Sequence, residues 1–236
     1  MSETEHNHWQ GLYKIGAVIA VILLVYSLVT MLLMVAVGGQ PGTVQEIFAM
    51  LQGNRLVGLL RLDLLTMLVM PLYYLLLLAL YMALKKAQAL YASIAAVLGF
   101  AGLTLFLASP SVFSWLALSD RHLTAASEAQ KALVLAAGEA ILAADIWHGT
   151  GAFLGGVLLQ VATTLLSLAM LRSSAFGKST AIAGIVTHGL DLAHVLVGVL
   201  FSTGGVILMA IAGPLYLLWF PLLARDFWRL SKKGDL

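Results

Sequence analysis

The stretch IGAVIAVILLVYSLVTMLLMVAVGG, Ile15 to Gly39, runs for 25 residues without a charge. At about 1.5 Å per residue, a helix of that length crosses the roughly 30 Å hydrocarbon core of a bilayer. It is also longer than the roughly 7–15 residue apolar core of a secretory signal. The segment before it, MSETEHNHWQGLYK, is short and polar and ends in Trp9, Tyr13 and Lys14. Aromatic and basic residues gather where a span meets water, so Ile15–Gly39 reads as a retained first span.

Composition extends that reading to the whole chain. Of its 236 residues 61% are hydrophobic and only 10% charged, against about 25% charged in soluble domains. A water-facing globule cannot hide that much apolar surface, whereas a bilayer can take it. The net charge of +2, with no basic tract interleaved with aromatics, argues against a nucleic-acid partner. The absence of cysteine removes disulfides, thiolate metal ligands and a cysteine nucleophile.

Six apolar runs predict an all-α, polytopic transmembrane helical bundle forming one integral-membrane domain over residues 1–236. The expected spans lie near 15–38, 56–84, 88–109, 150–171, 180–202 and 205–224. Between the first two, Ile47, Phe48 and Leu51 fall on one side of a short amphipathic helix, and Asn54 is placed to cap the helix after it. Pro71 predicts a kink in the second span, because proline removes a backbone donor and clashes with the preceding turn. The segment LTAASEAQKALVLAAGEAILAADIW, residues 123–147, has helical composition, but Lys131, Glu139 and Asp145 interrupt its apolar faces. It is expected as an amphipathic helix on the outer surface, between spans 3 and 4.

Charge fixes the expected orientation. With six spans and both termini cytoplasmic, Lys14, Lys85, Lys86, Arg172, Lys178, Arg225, Arg229, Lys232 and Lys233 share one side. Arg55, Arg61, Arg121 and Lys131 fall towards the other. A seventh span would part Lys85 and Lys86 from the basic carboxyl end, against the positive-inside rule. Gly151 and Gly155 have the GxxxG spacing that lets a neighbouring helix approach closely.

Ionisable residues inside spans are costly and mark candidate sites. Arg61 and Asp63 in LLRLDLL point to nearly opposite sides of a helix and need separate partners. Asp145 and His148 in ADIWHGTG share one face, suited to an Asp–His hydrogen bond or to two ligands of one metal. In THGLDLAH, Asp191 lies three residues from both His188 and His194. The two histidines are about 9 Å apart along the axis, too far for one metal on a regular helix. Asp191 is therefore expected to orient His194 through a hydrogen bond that sets its tautomer.

Depth counting places Arg61, Asp63, Asp145, His148, Asp191 and His194 in the outer half of the membrane, with His188 nearer the cytoplasm. These six residues are the expected lining of an outward-facing polar pocket for a lipid-like or amphipathic small molecule, in a carrier or sensor. The alternative is a metal-dependent intramembrane hydrolase, with Asp145, His148, Asp191 and His194 holding zinc and activating water. Two of His148, His188 and His194 could also serve as axial haem ligands, although no attachment signature favours it. A purely structural role for each cluster is the plain competitor, since buried polar pairs also fix helix packing.

Three further stretches carry a resemblance: EAILAADIWHGTGAFLGGVLLQ leading to LRSSAFGKSTAIAGIV, the closing GPLYLLWFPLLARDFWRL, and GNRLVGLLRLDLLTMLVMPLYYLLLLALY. Together they resemble a family of small bacterial multi-spanning membrane proteins catalogued only as a domain of unknown function. The resemblance covers most of the chain from about residue 54 onward. It implies a six-helix protein of the bacterial cytoplasmic (inner) membrane, surrounded by membrane lipids, and carries no reaction or catalytic residues with it.

Overall fold

Leucine and alanine are the commonest residues of the apolar runs and favour helix, and every regular element among the described residues is α-helical. The computed structural model describes residues 3–38, 41–109, 111–145 and 148–232. Trp147, expected beside Asp145 and His148, and Lys233 of the inner basic set lie outside them. In chain order the helices are α1 (Glu3–Val37), α2 (Val44–Gly53), α3 (Arg55–Arg61), α4 (Leu64–Val69), α5 (Leu72–Leu84) and α6 (Ala89–Leu107). They continue with α7 (Val112–Thr124), α8 (Glu128–Leu142), α9 (Thr150–Leu171), α10 (Lys178–Leu200) and α11 (Ser202–Lys232).

Five stretches are long and apolar enough to cross a membrane: Trp9–Val37, Ala89–Thr124, Thr150–Leu171, Lys178–Leu200 and Thr203–Lys232. Their outward faces stay apolar. Val18, Val21 and Val25 of α1, Ile182 and Val199 of α10, and Ile207 and Ile211 of α11 are all exposed. Apolar surface on that scale suits hydrocarbon rather than water, and the chain is a multi-pass helical membrane protein.

The segment expected as one kinked span near 56–84 is instead three helices, α3, α4 and α5. Pro71 accounts for the second break: its fixed φ of −55° starts α5, where its missing donor costs nothing. The first break has a different cause. Asp63 adopts φ +67°, a left-handed conformation that aspartate tolerates better than most residues. Its carbonyl then accepts the amide of Met67 at 3.0 Å, and its Oδ1 accepts the Thr66 hydroxyl at 3.3 Å, so Asp63 both ends one helix and caps the next. The helix expected over 123–147 is shorter, as α8 covers Glu128–Leu142 and Leu123 and Thr124 belong to α7. A turn at Ala125–Ser127 separates α7 from α8, where Ser127 Oγ accepts the Gln130 amide and Gln130 returns to accept that of Ala126, the residue before the cap.

The described residues group into two compact units, one from Met1–Leu28, Val69–Thr104 and Gly155–Leu236, the other from Val29–Leu68 and Leu105–Leu154. In the first, α5 is the central element, with Leu76, Leu77, Leu80 and Leu84 almost wholly buried. Its 13 residues make about 20 Å of helix, short of a full crossing. The close approach expected at Gly155 occurs there: α6 meets α9 backbone to backbone. A Cβ added at Gly102 would lie 2.8 Å from the Gly155 carbonyl oxygen and 2.6 Å from the Leu159 nitrogen.

The second unit is built on α2, α7 and α8. Thr43 caps α2 by accepting the Glu46 amide, and Glu46 accepts that of Gly42. Asn54 caps α3 as expected, through Val57. Val44, Ile47, Phe48 and Leu51 form the buried face of α2, against Val112, Trp115 and Leu118 of α7. The rim is charged: Arg55 pairs with Asp120, and Lys131 with Glu128. The Lys131 ammonium holds the Glu128 carboxyl below its ordinary range, a surface pair that adds little stability.

Candidate functional site

Three helices of the first unit bring polar side chains together at mid-length. Gln160 is the eleventh of 22 residues in α9, His188 and Asp191 are the eleventh and fourteenth of 23 in α10, and Tyr216 is the fifteenth of 31 in α11. The helical period produces this convergence. His188 and Asp191, at i and i+3, share one face of α10, and Tyr216, Trp219 and Phe220 share one face of α11.

Asp191 Oδ2 accepts from Gln160 Nε2 at 2.6 Å and from the Tyr216 hydroxyl at 2.7 Å. The Gln160 amide also approaches the Tyr216 oxygen at 3.3 Å. Its other end, Oε1, lies 2.8 Å from His188 Nδ1. Because a carboxylate only accepts, Gln160 must present its NH2 to Asp191 and its carbonyl oxygen to His188. His188 Nδ1 is then the protonated nitrogen. Gln160 thus links the imidazole to the carboxylate, and fixes the tautomer that leaves the lone pair on Nε2.

His188 Nε2 and Trp219 Nε1 are both buried with no hydrogen-bond partner among the described residues. The two rings meet edge to face with centroids 4.4 Å apart. Gly184, one turn before His188, makes room for this contact. A Cβ there would collide with Ser167 Oγ and sit 2.6 Å from Trp219 Nε1. Buried polar atoms without partners are uncommon and costly in a folded protein, and these two flank one ring pair.

The expected site residues divide between the two units. Asp191 is in the network, but its hydrogen bonds go to Gln160 and Tyr216 rather than to His194. His194 Nδ1 lies 2.9 Å from the Gly205 carbonyl, to which it donates across the α10–α11 turn. His188, set aside by depth, is the histidine joined to Asp191, through Gln160. In the second unit, Asp145 and His148 do form their expected bond, at 2.9 Å, and Asp145 Oδ1 also accepts the His148 amide at 3.1 Å. Asp145 is buried, while the His148 side chain is 60% exposed, so the pair shapes the turn before α9. Arg61 closes α3, and Asp63 forms the break after it. Among the described residues no three His, Asp or Glu side chains come together as a metal would need.

Asp226 forms a second buried centre that sequence reading passed over. Its Oδ2 accepts the Gly177 amide at 2.7 Å and the Thr180 hydroxyl at 2.6 Å, while Oδ1 takes Arg225. Gly177 has no side chain with which to cap α10, and Asp226 does so from α11. This centre is accounted for by structure alone. Gln160, Tyr216 and Trp219 were also missed, because a search for ionisable groups passes over amides and aromatics. The signals available were one amide in the apolar run of α9 and a Tyr–Trp pair at helical spacing.

Comparison with family models, curated proteins and solved structures returned no match.

Proposed function

We propose that the chain is a six-span protein of the bacterial cytoplasmic membrane, both termini inside, that binds a lipid-like or amphipathic small molecule in a carrier or sensor role. The kinship with the uncharacterised six-helix family belongs to the same proposal. In it α3–α5 together make the second crossing, and α7 and α8 lie at the outer surface.

One observation carries the binding reading. A closed hydrogen-bonded set sits at the middle of three apolar helices, and its terminal nitrogen, His188 Nε2, is held as a bare acceptor. Polar groups at membrane depth mark ligand and ion pathways when they exceed what packing needs. Gln160 could satisfy Asp191 and Tyr216 without a histidine, so the added imidazole and the unpartnered indole favour a bound molecule over packing alone. Its polar end would meet this centre, and its apolar part would lie among α9, α10 and α11.

Native mass spectrometry of protein extracted in a mild neutral detergent tests the proposal. The expected result is a bound small molecule on the unaltered chain, lost from a folded Gln160→Leu variant. Equal occupancy in both would place binding elsewhere.

A further inference from the structure

Asp191 stands apart from Asp226, the buried carboxylate of its unit. Asp226 is met by Arg225, with Arg229 close by, whereas Asp191 has no Lys or Arg within ion-pair distance among the described residues. Along its own helix the nearest such residue is Lys178, 13 residues away, or about 20 Å. On α11 the basic residues begin at Arg225, nine residues beyond Tyr216. His194, one turn on, has its Nδ1 committed to the Gly205 carbonyl.

The carboxylate is also only half used. Both Gln160 and Tyr216 bind Oδ2, and Oδ1 takes no hydrogen bond among the described residues. Asp191 is partly exposed at the middle of its helix, whereas His188, one turn before it, is buried. One aromatic ring touches it, and two more extend from that ring. Tyr216 donates to it, Phe220 stacks on Tyr216 at 5.5 Å, and Tyr73 meets Phe220 edge-on at 6.4 Å.

We infer that Asp191 receives the cationic end of a lipophilic, monovalent ammonium-type molecule. A carboxylate charge at membrane depth is costly unless an opposite charge meets it, and no Lys or Arg among the described residues supplies one. Gln160 and Tyr216 hold Oδ2 and so aim Oδ1 at the incoming cation. The ring of Tyr216, partly exposed and bonded to the carboxylate, adds an aromatic surface that favours a weakly hydrated cation. This inference rests on the proposed amphiphile-binding role and narrows it to one charge class.

The test compares two probes on protein in neutral detergent by isothermal titration calorimetry. One is tetraphenylphosphonium, permanently charged. The other is triphenylphosphine oxide, uncharged and similarly aromatic. The inference expects the cation to bind the unaltered chain, with the neutral probe at least about thirty-fold weaker, and Asp191→Asn to lose the cation by a similar factor. Asp191→Glu should keep part of the preference. Equal binding of both probes, or cation binding untouched by Asp191→Asn, overturns the inference while leaving an amphiphile site in place. Binding of neither overturns it and also counts against the amphiphile reading. Should Asp191→Asn not fold, the charged-versus-neutral comparison on the unaltered chain decides, and equal affinity overturns the inference.

Discussion

Gln160 shows how one side chain can decide what its neighbours do. Its two ends are chemically different, so it accepts from His188 Nδ1 while donating to Asp191 Oδ2. Replacing it with leucine leaves the imidazole N–H only the Tyr216 oxygen at 3.4 Å and removes a donor from a carboxylate. Each buried group left unpaired costs about 1–3 kcal/mol. Tyr216→Phe removes only one hydroxyl and should cost about 1 kcal/mol. Because both residues serve the same oxygen of Asp191, the double variant should not equal the sum of the singles. Thermal unfolding of the four proteins in one detergent measures this, and strict additivity would mean that the two do not act through Asp191. The sequence made His188, Asp191 and His194 legible as an unusual trio, since ionisable residues in an apolar run are conspicuous. It could not say that Asp191 turns towards α9 and α11, because that depends on helix azimuth. The amide and phenol that complete the set carry no charge to betray them.

At the scale of the helical element, the instructive case is the segment from Arg55 to Leu84. Hydropathy alone presents it as one span, because Leu62 and Leu64 on either side of Asp63 are as apolar as their surroundings. Pro71 was readable as a break, since its ring rules out a normal helix interior. Asp63 was not, because aspartate becomes a helix terminator only when its backbone enters the left-handed region, which the sequence does not announce. That conformation yields a prediction. Asp63→Gly relieves the φ of +67° while giving up the carboxylate and its contact with Thr66, so it should be the milder of two substitutions here. Asp63→Val gives up the same contact and places a β-branched residue where it is strained, at a cost of about 1–3 kcal/mol. Chemical denaturation of both variants checks the order. A valine variant as stable as the glycine one would mean that the break is set by something other than the backbone of residue 63. The Asn54 cap was legible, because it is a local device whose partner, Val57, lies three residues away.

For the whole molecule, composition made the membrane evident and charge asymmetry suggested an orientation, while neither speaks to how helices pack. Topology is accordingly the feature best tested directly, and the chain is suited to it. Containing no cysteine, it gives no background to thiol labelling, so single cysteines report their own side of the membrane. Three exposed turn positions are suitable: Ala87 between α5 and α6, Ala126 between α7 and α8, and Ser174 between α9 and α10. Six spans with both ends inside place the flanking Lys85, Lys86, Arg172 and Lys178 in the cytoplasm, where the positive-inside rule wants them. A membrane-impermeant maleimide should then label Ala126→Cys in intact cells, and label Ala87→Cys and Ser174→Cys only after the membrane is opened. If Ala126→Cys and Ser174→Cys respond alike, the segment between them crosses an even number of times and the six-span arrangement fails. If all three respond in reverse, the span number survives and the orientation falls. The test also bears on the polar centre of α9, α10 and α11. Gln160, His188 and Tyr216 sit at mid-length in their helices, so they lie near the bilayer midplane only if those three helices each cross completely. A single crossing between Ala126 and Ser174 is the arrangement that lets α9 carry Gln160 to that depth.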